Sequence, residues 1–104
     1  MTDERLLDKM DLSLIRTLHT LLTERSVSRA ALRLGQQQPA VSVALRRLRD
    51  ITGDAILVRS GTGMVPTEAG LGMLAPSAHI LQMAGQLLAS ARQFDPRLSR
   101  QTFR

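Results

Sequence analysis

A chain of 104 residues, 43% hydrophobic and 22% charged, is sized for one small domain or a small domain with an extension. Two Phe, no Trp and no Tyr confine its core to aliphatic side chains, and the absence of cysteine excludes disulfides and thiolate metal sites. Fourteen basic against nine acidic side chains, a net charge of +5, favour a polyanionic partner.

No apolar run approaches the roughly 20 residues of a membrane span. The first ten residues, MTDERLLDKM, lack the apolar stretch of a signal peptide, so a cytoplasmic protein without a membrane partner is expected. Residues 1–10 read as a polar, frayed lead-in. Asp11 is a good N-cap for a first helix that turns Leu14, Ile15, Leu18, Leu21 and Leu22 to one face and ends over Thr23–Arg25. Ser26 then caps a second helix, VSRAALRL, with Val27, Ala30, Ala31 and Leu34 inward. The small Ala30 and Ala31 let two helices approach closely. Gly35 stands where a helix ends in the left-handed conformation.

The third helix, residues 37–50, follows two or three residues later, with Pro39 suited to its first turn. Val41, Leu45 and Leu48 make its buried stripe. Gln38, Ser42, Arg46 and Arg49 share a second face with Arg47 at its edge. Amides and a hydroxyl first, then three arginines, suit the major groove of DNA: early turns reach base edges and later turns meet phosphates. Two short helices joined by a glycine-containing turn, the second basic, form a helix-turn-helix.

Asp50–Asp54 contains a breaker. Ile56–Arg59 has strand character, Ser60–Gly63 is a turn and Met64–Pro66 a return strand, together a wing over 56–65. Arg59 and the turn, Thr62 included, sit where a wing meets DNA backbone or minor groove. Thr67 and Glu68 cap the longest helix, residues 67–94, with a stripe of Leu71, Leu74, Ala78, Leu81 and Leu88 interrupted by Gly85. Pro76 inside it should bend it or cost about 3 kcal/mol. A helix about 42 Å long exceeds what the preceding domain can cover, so a homodimer through residues 67–94 is expected. Residues 95–104 read as a hinge. The fold class is therefore mainly α: a winged helix-turn-helix over 11–66, with three helices and a two-stranded wing, then a long dimerisation helix.

Catalysis has little support. His19 and His79 lie on separate helices without paired ligands, and Gly61 and Gly63 sit in a hairpin, the wrong context for a phosphate-binding fingerprint. A helical protein–protein interaction module is the alternative of a different class.

Ser26–Ala31, Gln38-Pro39-Ala40-Val41-Ser42, Leu57-Val58-Arg59 and Pro66–Gly70 together resemble, in order and spacing, the N-terminal DNA-binding region of LysR-type transcriptional regulators. Asp11-Leu12, Ser26–Arg29, Gly53-Asp54 and Gly63–Pro66 are similar to the branch of nodulation and aromatic-catabolism activators. In that branch, Phe94-Asp95-Pro96 and Arg100–Phe103 resemble the lead into an effector domain. The resemblance implies a dimer through the long helix, a tetramer in a full-length protein, and double-stranded DNA with palindromic half-sites. It implies no cofactor in this chain, the family's inducer binding in a C-terminal domain outside it.

Among DNA-binding residues the resemblance carries Gln38, Pro39 and Ser42 to the groove, Arg29 to phosphate and Arg59 to the wing; Ser28, beside Arg29, is counted with the DNA-binding residues. Arg46 and Arg47 follow from helix geometry. Gln37 departs from the family's usual Ser or Thr; it caps poorly, so either the helix boundary shifts or its amide is free for DNA. Val43 departs from a frequent Arg but can pack on a thymine methyl. Leu18 and Ile56-Leu57 replace frequent aromatic positions, in keeping with an aliphatic core. Molybdate-responsive regulators, with a similar winged domain and dimer helix, are the alternative family.

Overall fold

Polar caps set the helix starts. In the computed structural model, which describes residues 3–93, the order is α1 (Glu4–Lys9), α2 (Leu12–Glu24), α3 (Val27–Leu34), α4 (Gln38–Thr52), β1 (Leu57–Ser60), β2 (Gly63–Pro66) and α5 (Glu68–Gln93). The Asp11 carboxylate accepts the Leu14 N–H at 2.8 Å, and the Ser26 hydroxyl accepts the Arg29 N–H at 3.1 Å. Thr67 does the same for α5, its Oγ1 accepting the Gly70 N–H at 2.9 Å. Each satisfies a donor that the first turn of a helix leaves without a partner. At the far ends, α3 and α4 stop in left-handed glycines, Gly35 (φ 67°) and Gly53 (φ 70°).

The core is aliphatic throughout. Leu14, Leu18, Leu21 and Leu22 of α2 meet Ala30 and Ala31 of α3, Val41, Leu45 and Leu48 of α4, and Ile56 and Leu57 at the root of the wing. Each leucine so buried contributes about 1.5–3 kcal/mol relative to exposure. Thr17 and Thr20 are buried on α2, but their hydroxyls donate to the carbonyls of Ser13 and Arg16, so neither leaves a polar group unpaired.

The wing is an antiparallel pair with Leu57 opposite Pro66, Val58 opposite Val65, Arg59 opposite Met64 and Ser60 opposite Gly63. Gly61 and Thr62 form its two-residue turn, with Gly61 at φ 61°, the left-handed residue a tight hairpin needs.

Two local readings change. The lead-in is not frayed over its length: residues 4–9 are helical, and the Asp3 side chain accepts the Arg5 N–H at 3.0 Å. Six residues fall below the length at which helix signals read on their own. Ile56 is not part of the strand. It lies fully buried at φ 69°, a left-handed backbone that β-branched residues rarely adopt. The Asp54 carboxylate accepts its N–H at 2.7 Å and its carbonyl accepts the Thr67 N–H at 2.9 Å, so tertiary bonds hold that conformation. As expected, α5 is one helix that contains both Pro76 and Gly85.

Helix α5 packs along α2, and its first turn lies close against the wing root. A Cβ on Gly70 would stand 2.5 Å from the Ile56 carbonyl oxygen, so only glycine fits there. Leu74 packs partly buried on the core, and Leu81 is half-buried beside Thr20 and Leu34. Leu71, Ala78 and Leu88 of the expected stripe are exposed. Ile80, Met83 and Leu87 form a second exposed apolar row, turned by more than 90° about the helix axis from Leu74 and Leu81. The expected hinge over 95–104 and the effector-domain lead-in from Phe94 lie outside the described residues.

Candidate nucleic-acid interface

Between α4 and the wing lies an open cleft of about 690 Å³. Its walls carry five arginines, Arg25, Arg29, Arg46, Arg49 and Arg59, and no acidic residue. Ser26, Ser28, Gln38, Ser42 and Thr62 supply hydroxyls and an amide along the same surface. The cleft collects residues from the α2–α3 junction, one flank of α4 and the hairpin, so sequence positions 25 to 64 converge on one concave basic face.

The α4 helix supplies the exposed centre. Val41, Leu45 and Leu48 are buried, which fixes the rotation of the helix and turns the rest outward. Gln38 and Ser42 line the cleft and are exposed; Pro39, Val43 and Arg47 are exposed outside it. Gln37 is the N-cap residue but its side chain makes no capping bond, which leaves the amide free. At fifteen residues, α4 is about 22 Å long.

Not every arginine on this surface is equally available. Arg49 shares the flank of Gln38 and Ser42, yet its guanidinium donates from Nε to the Ala55 carbonyl at 2.8 Å and from Nη2 to the Leu57 carbonyl at 2.9 Å. This corrects the reading in which all three arginines at the end of α4 meet phosphate. The left-handed Ile56 brings those two carbonyls together, and Arg49 bolts the wing root to α4.

Arg29 donates from Nη2 to the Glu24 carbonyl at 2.7 Å and lies 3.8 Å from the Glu24 carboxylate; it is held in position but its side chain is still mostly exposed. Ser28 is exposed, its hydroxyl 3.1 Å from that of Ser26. Arg46 and Arg59 make no ion pair among the described residues and are exposed, and Thr62 is exposed at the tip of the wing. Arg25 joins them on the cleft wall, a residue that sequence reading treats only as the end of a helix. Its left-handed backbone, at a helix end where α3 and α4 have glycine, is a feature of the structure that no sequence signal marks.

Among the described residues no group of three or more His, Asp or Glu is arranged to hold a metal ion, and no helix is long and apolar enough to cross a membrane.

The family described as "Bacterial regulatory helix-turn-helix protein, lysR family" matches residues 12–71. The chain belongs to the lysR family. It is 39% identical over 94 residues to the HTH-type transcriptional activator NagR of Ralstonia sp, covering 90% of this chain and 31% of that protein. It is 37% identical over 95 residues to Nodulation protein D 1 of Bradyrhizobium sp. (strain NC92), covering 91% of this chain and 30% of that one. The chain thus spans about three-tenths of the length of these relatives. The crystal structure of the probable transcriptional regulator PA0477 from Pseudomonas aeruginosa superposes with a TM-score of 0.76 at 35% identity, over 88% of this chain and 31% of that one. The DNA-binding domain of BenM, solved in complex with catB site 1 DNA, shares the fold at a TM-score of 0.75 and 23% identity, over 81% of this chain and 93% of that one. The nodulation relative lies in the branch that Ser26–Arg29 and Gly63–Pro66 resemble. Membership of the lysR family displaces the molybdate-responsive alternative, and the relatives are transcriptional regulators rather than enzymes.

Proposed function

We propose that this chain is the DNA-binding region of a cytoplasmic transcriptional regulator, which docks α4 in the major groove and the wing against backbone or minor groove. The observation that carries the reading is the cleft between α4 and the wing, with five arginines, no acid and the uncapped start of a helix beside it. B-DNA's major groove, about 12 Å wide, admits one α-helix, and α4 is exposed along the side opposite its buried stripe. In this reading Gln37, Gln38, Pro39, Ser42 and Val43 meet base edges. Ser28, Arg29, Arg46 and Arg47 meet phosphate, and Arg59 and Thr62 follow the neighbouring groove. Family membership and the BenM domain solved with DNA support it.

The operator is an interrupted palindrome read by a homodimer, with tetramers in the full-length protein. What supports a dimer is the exposed apolar row of α5, Ile80, Met83 and Leu87, with Leu87 70% exposed and Leu88 61% exposed. Such a row on one protruding helix favours a second copy. The inducer belongs to a C-terminal effector domain, and this region uses no cofactor.

Binding of the chain to a labelled duplex of random sequence, followed across salt concentration, tests the reading. Affinity should fall steeply between about 50 and 200 mM salt as phosphate-bound counterions are released. Selection from random duplexes should then enrich a palindromic pair of half-sites. Flat salt dependence would sink the proposal in favour of a protein-interaction module.

A further inference from the structure

Three helices of the winged domain end in a left-handed residue. Two of these residues are glycines, Gly35 and Gly53, the residue type that adopts such a backbone without steric cost. The third, at the end of α2, is Arg25, with φ 54° and ψ 33°. An arginine there strains the backbone, and among the described residues no hydrogen bond or ion pair uses its side chain.

The charge at the α2 C-terminus is already met. Arg29 donates to the Glu24 carbonyl at 2.7 Å, and the Glu24 carboxylate lies 3.8 Å from Arg29 and 3.4 Å from Arg33. Among the described residues Arg25 makes no ion pair and no side-chain hydrogen bond; only its backbone N–H is used, donating to the Leu21 carbonyl at 2.8 Å. Its side chain is exposed and lines the cleft with Arg46 and Arg59.

We infer that Arg25 is a phosphate-contacting residue, a cationic post where the α2–α3 junction lines the DNA cleft. The inference rests on the DNA-binding reading above and adds a contact to it. The left-handed backbone matters to the role. It reverses the chain between α2 and α3, so the side chain leaves the junction on the cleft side rather than continuing a helical face. Arg25 from the α2–α3 junction and Arg59 from the wing then line one cleft together with Gln38, Ser42 and Arg46 of α4, and each touches the duplex backbone beside the groove that α4 enters. Such a contact adds affinity for any sequence and does not discriminate among bases.

The variant Arg25→Gly separates the side chain from the backbone, because glycine accepts the same turn. The experiment measures binding of the full chain to a fluorescein-labelled random-sequence duplex across salt, with thermal denaturation of each variant. Arg25→Gly should melt at or above the temperature of the unmodified chain. It should bind the duplex roughly three- to fivefold more weakly at low salt, the scale of an exposed ion pair. The slope of log affinity against log salt should shrink by about 0.9, one phosphate's worth. Arg25→Lys should restore the slope, and Arg33→Ala, which removes a charge outside the cleft, should leave it unchanged. An Arg25→Gly chain with undiminished affinity and slope overturns the inference while leaving DNA binding intact, as does an equal slope change in Arg33→Ala. A lower melting temperature with unchanged binding would assign Arg25 to the fold instead. If the unmodified chain itself shows no salt-dependent binding, the DNA reading fails first and this one with it.

Discussion

The Thr67 hydroxyl donates to the Asp54 carboxylate at 2.6 Å, across thirteen positions of chain, and so ties the start of α5 to the loop that closes α4. Asp54 also accepts the Ile56 N–H, and Thr67 also accepts from Gly70 at the first turn of α5. The pair thereby joins three things: the end of the helix proposed to read DNA, the root of the wing, and the helix that projects from the domain.

The Asp54 carboxyl is held below its ordinary value of 3.8, chiefly by the Thr67 hydroxyl and next by the Ile56 N–H, against an opposing effect of burial. A carboxyl with a depressed folded-state value stabilises the fold above its unfolded-state value, and that contribution is lost as pH falls through the folded-state value. Thermal denaturation should therefore show stability falling as pH drops below about 4, and less steeply in Asp54→Asn. Parallel pH profiles for the two chains would rule Asp54 out as the source.

Gly70→Ala should destabilise the chain by about 1–3 kcal/mol, the usual range for overpacking. Its Cβ would meet the backbone oxygen of Ile56 rather than a flexible side chain, so relief requires moving α5 or the wing root. Gly72→Ala, where nothing lies within 4 Å, should be neutral or slightly stabilising, since alanine is the better helix former. Chemical denaturation of both variants checks the contrast.

Arg46 and Arg49 sit one helical turn apart but should fail differently. Arg49→Ala breaks two bonds to the wing root and should cost about 1–3 kcal/mol of stability. Arg46→Ala should leave the melting temperature within experimental scatter and weaken binding to every duplex. Loss of DNA affinity without loss of stability in Arg49→Ala would show that its guanidinium serves phosphate after all.

Reading and anchoring should also separate. Gln38→Ala or Ser42→Ala should flatten preference among operator variants, by about 1–3 kcal/mol for a good contact, while Arg59→Ala should weaken all of them evenly. The check is a set of affinities on single-base operator variants, and parallel losses in both classes would contradict the division of roles.

For α5, Leu87→Asp should give monomers with the melting behaviour of an intact winged domain, because Leu87 contacts none of its core. Leu74→Asp should unfold the domain, because Leu74 packs on that core. Sedimentation velocity decides: an unmodified chain that is already monomeric at micromolar concentration removes the dimer.

Much of this architecture is written in short-range signals. Asp11, Ser26, Gly35 and Thr67 mark helix ends by hydrogen-bonding chemistry that acts within four residues, and the spacing of Val41, Leu45 and Leu48 sets which side of α4 faces out. Those marks suffice to place Gln38, Ser42 and Arg46 on the exposed surface of one helix and Arg59 on the wing. Long-range contacts decided the rest. The spacing along α5 groups Leu74, Leu81 and Leu88 on one side, but only the packing of the helix shows that Leu74 lies on the core and Leu81 is half-buried while Ile80, Met83 and Leu87 are exposed. Periodicity reports that a face is apolar, not what covers it. Arg49 looks like its neighbour Arg46 until the chain turns back at Ile56 and offers it two carbonyls. Ile56 itself has the composition of a strand residue, and its left-handed backbone exists because Asp54 and Thr67 bind it from both sides. No local propensity encodes a conformation that is held by partners eleven residues apart in the chain on one side and two on the other.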